Sequence, residues 1–246
     1  IGDGIGRDIT PVVLDILNAA VEQTYHGKKK LLWQEIIVSE KAVAQGKELL
    51  PEEALKQISD LRIVLKGPLT TPIGGGHRSL NVTLRQKLDL YACVRPVRWF
   101  EGVPNPMKHP EKLNVVIFRE NTEDVYTGIE WKEGSPEAEQ LIDFLQKKMQ
   151  VRVRKDSGLG IKPMSLTGTK RLVRAAIRYA IAQNRASVTL VHKGNIMKYT
   201  EGAFMEWGYQ VAKEEFAGQV VLESEYTPEN LGKIIVKDRL ADAIFP

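Results

Sequence analysis

One cysteine, Cys93, stands in a chain of 246 residues, so no intrachain disulfide can staple the fold. Its place in the apolar run DLYACVRPV predicts burial, and its isolation fits a reducing, cytoplasmic compartment. No apolar run reaches the roughly 20 residues that a membrane-spanning helix needs. Charge is not concentrated either. The formal net charge is +4 and the positives are spread out, whereas nucleic-acid binding asks for a gathered basic face. The only cluster, Gly27-Lys28-Lys29-Lys30, falls at an expected helix end, where cations oppose the C-terminal dipole. Repeats and low-complexity segments are absent. What remains is an ordinary globular composition, 43% apolar and 27% charged, long enough for one or two domains.

Periodicity supplies the elements. Thr10-Pro11 reads as an N-cap and first helical residue. Val12, Val13, Ile16, Leu17, Ala20 and Val21 form an apolar stripe after it, closed by Gly27. Leu31 to Val38 reads as a strand, Pro51 to Leu61 as a helix and Arg62 to Leu65 as another strand. This alternation predicts an α/β layer with a mostly parallel sheet. Further strands are expected at Leu90–Val97, Val115–Arg119 and Ser187–His192, with helices at Pro136–Met149, Thr167–Gln183 and Thr200–Phe216. Arg171, Arg174 and Arg178 fall on the outer face of their helix and read as solvated. The opening GDGIG lacks the G-x-G-x-x-G spacing and a suitably placed acidic residue, so it is not a Rossmann fingerprint.

The stretch Lys66 to Arg98, KGPLTTPIGGGHRSLNVTLRQKLDLYACVRPVR, carries the most chemistry. A Gly-rich loop runs into a short helix, whose start presents unpaired N–H groups and a positive dipole end. Ser79 and Asn81 place neutral hydrogen-bonding groups there, and Arg85 follows one turn after Asn81. Arg95 and Arg98 come on the next segment. Guanidinium groups bind carboxylate or phosphate through paired hydrogen bonds, so the density of arginines points to a small, multiply anionic ligand. Glycines serving turn geometry and ordinary surface arginines are the simpler account of any one residue alone.

GPLTTPIGGGHRSLNVTLRQ, LYACVRPVR, FRENTEDVYTGIE and LVHKGNIMKYTEGAF closely resemble the decarboxylating NADP-dependent isocitrate dehydrogenases of bacterial type. The likeness runs along essentially the whole chain. It implies an α/β, isopropylmalate/isocitrate dehydrogenase-like two-domain fold, not a Rossmann fold, with an inserted clasp. The large domain would take residues 1–89, the small domain 90–123 and 166–246, and the dimerisation clasp 124–165. The chain would be part of a longer polypeptide.

The resemblance also implies roles. Ser79 and Asn81 would meet the γ-carboxylate of isocitrate, a position where isopropylmalate-type relatives carry an apolar patch. Arg85, Arg95 and Arg119 would hold the α- and β-carboxylates. Lys193 would serve as base or proton relay at the 2-hydroxyl, and Tyr126 would protonate the enol carbon. Leu69, Thr70, Thr71 and Asn195 would border NADP, and Asp242 would be one ligand to Mg2+ or Mn2+. In the family, Lys193 and Asp242 reach from one subunit into a site completed by Tyr126 of the other, so a homodimer with shared sites is expected. The implied reaction is metal-dependent oxidative decarboxylation in the tricarboxylic acid cycle. A sister dehydrogenase acting on homoisocitrate or isopropylmalate stays open, as does a catalytically incomplete fragment that only binds substrate or dimerises. Dinucleotide contact at GDGIG is left open too. Without the family pattern, Lys193 is a lysine at a turn, Tyr126 a core or interface tyrosine, and Asp242 a solvated aspartate.

Overall fold

The computed structural model describes residues 1–70 and 79–244. The chain divides into two compact units, Ile1–Leu90 and Tyr91–Pro246.

The first unit is helical among its described residues: α1 (Gly6–Tyr25), α2 (Glu40–Val43), α3 (Glu52–Leu61) and α4 (Leu80–Lys87). The expected start of α1 is corrected. The helix begins at Gly6 and carries Pro11 inside it. Thr10 is no cap, since its hydroxyl donates to the Ile1 carbonyl at 2.7 Å. The C-terminal end is as expected, with His26 at φ 50° and Gly27 at φ 76°, and Lys29 lies over the Tyr25 ring at 4.5 Å. The apolar stripe of α1 is largely uncovered, with Val12 56% and Ile16 61% exposed. Leu31–Val38 and Arg62–Leu65 form no ladder, and Arg62 turns the chain at φ 62°. The parallel sheet expected in this unit is therefore not present among its described residues.

What fixes the first unit is a close passage of GDGIG against the segment after Leu65. A Cβ on Gly67 would stand 1.9 Å from the Ile1 carbonyl oxygen, so only glycine fits there. The Asp3 amide donates to the Pro68 carbonyl at 2.8 Å. The buried Asp3 carboxylate accepts the Thr70 amide at 2.7 Å and the hydroxyl of fully buried Ser39 at 2.5 Å.

The second unit opens with an antiparallel ribbon, β1 (Ala92–Arg98) and β2 (Asn114–Glu120). Next come β3 (Ile129–Trp131), α5 (Pro136–Met149) and β4 (Leu159–Ile161), with β3 and β4 antiparallel. The remainder is α6 (Leu166–Ala182), β5 (Ser187–His192), α7 (Ala203–Glu215), β6 (Val220–Leu222), β7 (Ile234–Leu240) and α8 (Ala241–Ile244). Strands β5, β7 and β6 form a parallel sheet in that order.

Its core lies where α6 and α7 cover one face of this sheet. Ile177, Val211 and Val236 are fully buried there, one each from α6, α7 and central strand β7. Each such side chain contributes roughly 1.5–3 kcal/mol by leaving water. Ser135 and Ser165 cap α5 and α6 by accepting the amides of Ala138 and Gly168. Cys93 is only half-buried, not buried as expected. Arg171 and Arg174 also differ from expectation. Arg171 donates to the Thr122 hydroxyl at 3.0 Å and lies over the Tyr91 ring, while Arg174 pairs with Glu215.

Candidate active site

In the first unit the candidate residues lie on and before α4. Ser79 is its N-cap residue, with no hydrogen bond from its side chain to the helix. Asn81 and Arg85 lie one turn apart on one face, both half-buried. Lys66 comes near Arg85. Burial first, then the Arg85 guanidinium, pulls the Lys66 ammonium below its ordinary range, with Asp3 opposing. Two cations that disfavour each other are relieved by an anion beside them. Leu69 and Thr70 follow, and the Asp3–Thr70 bond pins this backbone. Thr71 and the glycine loop lie outside the described residues.

In the second unit, strand pairing decides which arginines act together. Arg119 is opposite Cys93 and Ile117 is opposite Arg95. Side chains alternate along strands, so Arg95 and Arg119 share one face as diagonal neighbours. The other face carries Phe118, packed edge-on against Tyr179 of α6 at 5.4 Å. Arg98, an odd number of residues from Arg95, falls on that second face and lies over Phe100 at 4.6 Å. It therefore leaves the anion-binding set that the sequence grouped together.

Tyr126 occupies a short 3-10 turn, Asp124–Thr127. The Arg119 guanidinium lies 4.3 Å from the centre of its ring, a cation–π arrangement that brings these candidates into contact. Glu120 anchors the loop between them. One of its carboxylate oxygens accepts the amides of Asn121, Thr122 and Glu123 and the Thr122 hydroxyl.

Lys193 follows the carboxyl end of β5, and Asp242 lies just beyond the carboxyl end of β7. The two strands are adjacent, with His192 opposite Leu240. Ligands of parallel sheets gather at this end. The Lys193 ammonium pairs with the Asp242 carboxylate, and that hydrogen bond holds Asp242 below the usual carboxylate range. The structure thus sets a carboxylate against the candidate base. Asn195 is exposed on the turn beyond.

The turn itself is tightly built. A Cβ on Gly194 would come 2.9 Å from His192 Nδ1 and 3.0 Å from Gly202 Cα. The Gly194 amide donates to His192 Nδ1 at 2.9 Å, and His192 Nε2 lies 3.1 Å from Asp238. An N–H acceptor role at Nδ1 places the ring proton on Nε2. Asp238 also accepts the Tyr209 hydroxyl at 2.5 Å, and burial followed by this bond raises the Tyr209 phenol far above its ordinary value. Glu201 accepts the Lys193 amide at 2.7 Å. No local pattern signals the His192–Asp238 and Tyr209–Asp238 contacts, whose partners lie 46 and 29 residues apart.

As for metal, no group of three or more His, Cys, Asp or Glu residues is placed to hold an ion among the described residues. Asp242 supplies one hard oxygen donor. Mg2+ takes about six oxygen ligands, so these residues do not by themselves make its site.

The isocitrate/isopropylmalate dehydrogenase family model matches residues 1–245. The chain is 57% identical over 251 residues to the NADP isocitrate dehydrogenase of Archaeoglobus fulgidus, covering 99% of this chain and 60% of that protein. It is 54% identical over 252 residues to its counterpart in Pseudomonas aeruginosa, with the same coverage. The chain thus spans about 60% of the length of these relatives. Among solved structures, isocitrate dehydrogenase from Methylococcus capsulatus superposes with a TM-score of 0.70 at 37% identity, covering 98% of this chain and 59% of that one. The α/β fold and these matches together place the chain in the isocitrate/isopropylmalate dehydrogenase family.

Proposed function

We propose that this chain carries the substrate-binding and proton-transfer residues of an NADP-dependent isocitrate dehydrogenase, which converts isocitrate to 2-oxoglutarate and CO2. The observation that carries this reading is the β1–β2 face, where Arg95 and Arg119 stand together and Arg119 lies over Tyr126. It offers two guanidiniums for carboxylates beside a phenol able to give a proton.

In this reading Arg85, Arg95 and Arg119 hold the α- and β-carboxylates, while Ser79 and Asn81 meet the γ-carboxylate. Lys193 leaves Asp242, loses its ammonium proton to solvent, and as the free amine takes the 2-hydroxyl proton as hydride leaves C2. The bond to the β-carboxylate then breaks, and its electron pair stays on carbon as an enolate. Tyr126 returns a proton to that carbon. NADP, bordered by Leu69, Thr70, Thr71 and Asn195, supplies the hydride acceptor. Asp242 is the candidate ligand to Mg2+ or Mn2+, which would polarise the hydroxyl and stabilise the enolate. We further propose the division into large domain (1–89), small domain (90–123 and 166–246) and clasp (124–165), and a cytoplasmic homodimer. The pairing of Lys193 with Asp242 supports their delivery as a unit to a neighbouring subunit's site.

The direct test is NADP reduction with isocitrate and Mg2+ in the full-length protein. Removing one guanidinium, as in Arg119→Ala, should weaken turnover at low isocitrate tenfold or more, since a charge-assisted hydrogen bond contributes about 1.5–3 kcal/mol. Joint replacement of Ser79 and Asn81 by apolar residues should shift preference from isocitrate toward isopropylmalate. An unchanged preference would count against the γ-carboxylate assignment.

A further inference from the structure

Within the second unit, one chain of partly buried ionic groups is left unused by this chemistry. Glu201 lies in a single π-helical turn, Lys198–Gly202, that leads into α7; such widened turns recur at functional positions. One carboxylate oxygen accepts the Lys193 amide at 2.7 Å, and the other meets the Lys162 ammonium at 2.6 Å. Lys162 also lies 3.2 Å from Asp124, the first residue of the turn that holds Tyr126. The side chains of Asp124, Lys162 and Glu201 are 28%, 25% and 14% exposed.

Burying three charges costs desolvation that an apolar cluster would avoid, so such a group is weak evidence of added stability. What it supplies is fixed geometry, and here both ends of the chain reach the candidate proton-transfer residues. At one end the carboxylate of Glu201 fixes the backbone of Lys193. At the other, Lys162 ties down the turn of Tyr126.

We propose that Asp124, Lys162 and Glu201 form a positioning triad that ties the Lys193 backbone, which serves one site of the proposed dimer, to the Tyr126 turn, which serves the other. The proposal rests on the roles given above to Lys193 and Tyr126. The charges of the triad support it. Burial pushes the Glu201 carboxyl up, but the bonds from Lys162 and the Lys193 amide outweigh this and hold it low. Burial pulls Lys162 down, and its bonds to Glu201 and Asp124 overcome that and raise it.

The test compares Glu201→Leu, Glu201→Gln and Lys162→Met in the full-length protein, reading amide hydrogen exchange at Lys193 together with kcat and the isocitrate KM. Gln keeps an oxygen that can accept the Lys193 amide; Leu does not. Glu201→Leu should speed Lys193 exchange at least about tenfold relative to Leu190 within β5. It should also lower kcat by about 10- to 100-fold, the size expected for misplacement of a reacting group, with KM moving less than about twofold. Gln should recover most of that loss, and Lys162→Met should cost about tenfold in kcat. Lys193→Met and Tyr126→Phe run in parallel. If they abolish turnover while Glu201→Leu leaves kcat and Lys193 exchange unchanged, the triad is only structural and the proposal is overturned. If they leave turnover intact, the assignment beneath it fails, and the positioning role with it. Should Glu201→Leu not fold, Lys162→Met decides: unchanged kcat overturns the proposal.

Discussion

Glu201 faces Lys162, the Lys193 amide and, through space, His192, with Asp124 beyond Lys162. Its carboxyl titrates below the ordinary 4.5 in the folded chain. A depressed carboxyl stabilises the fold above its unfolded value and loses that contribution as pH falls through the folded one. Lys162 is raised above 10.5, so its contribution is complete below that pH and is lost as pH rises through the folded value. Urea midpoints should therefore hold between about 4.5 and 10.5 as far as this pair is concerned. They should fall on the acid side, and Glu201→Gln should flatten that acid limb; an unaltered limb would mean that Glu201 contributes nothing to it. Asp3 is the corresponding anchor in the first unit. Asp3→Ala removes the acceptor of the Thr70 amide and leaves the Ser39 hydroxyl only the Thr70 carbonyl at 3.4 Å, and a buried polar group that loses its partner costs about 1–3 kcal/mol. Chemical denaturation of the variant should show a loss of that order.

At the scale of elements, Ile177 on α6 packs into the core shared with Val211 and Val236. Ile177→Ala should destabilise the second unit by about 2–5 kcal/mol, and a thermal midpoint unchanged from wild type would contradict the packing described. The elements that the sequence located best have local causes. Ser135-Pro136 begins α5 with a serine cap and a proline at the first helical position, and β5 is a short, alternating strand that pairs with β7. Thr10-Pro11 offers the same local signal but lies inside α1, because the turns from Asp3 onward start the helix earlier. Leu31–Val38 and Arg62–Leu65 have strand-like composition. A strand exists only by pairing, and neither stretch pairs among the described residues.

At the scale of the molecule, no helix among the described residues is long and apolar enough to cross a membrane. The proposed shared-site dimer makes a sharp prediction. Tyr126→Phe and Lys193→Met should each be inactive, yet refolding equal amounts together should restore about a quarter of wild-type turnover. Half of the resulting symmetric-interface dimers would then be hybrids with one intact site of two. If both residues served the same chain's site, mixing would restore nothing.

The sequence by itself determined the family and the identity of the candidate residues, because long contiguous words carry residue types that their chemistry requires. It also placed the capped helices, whose signals are local. The tertiary structure decided how those residues are grouped. Strand register separated Arg98 from Arg95 and joined Arg95 to Arg119. The adjacency of β5 and β7 brought Lys193 to Asp242. Folding brought Asp124, Lys162 and Glu201 together across 77 residues of chain. Register and contacts between distant segments depend on partners that no local pattern specifies.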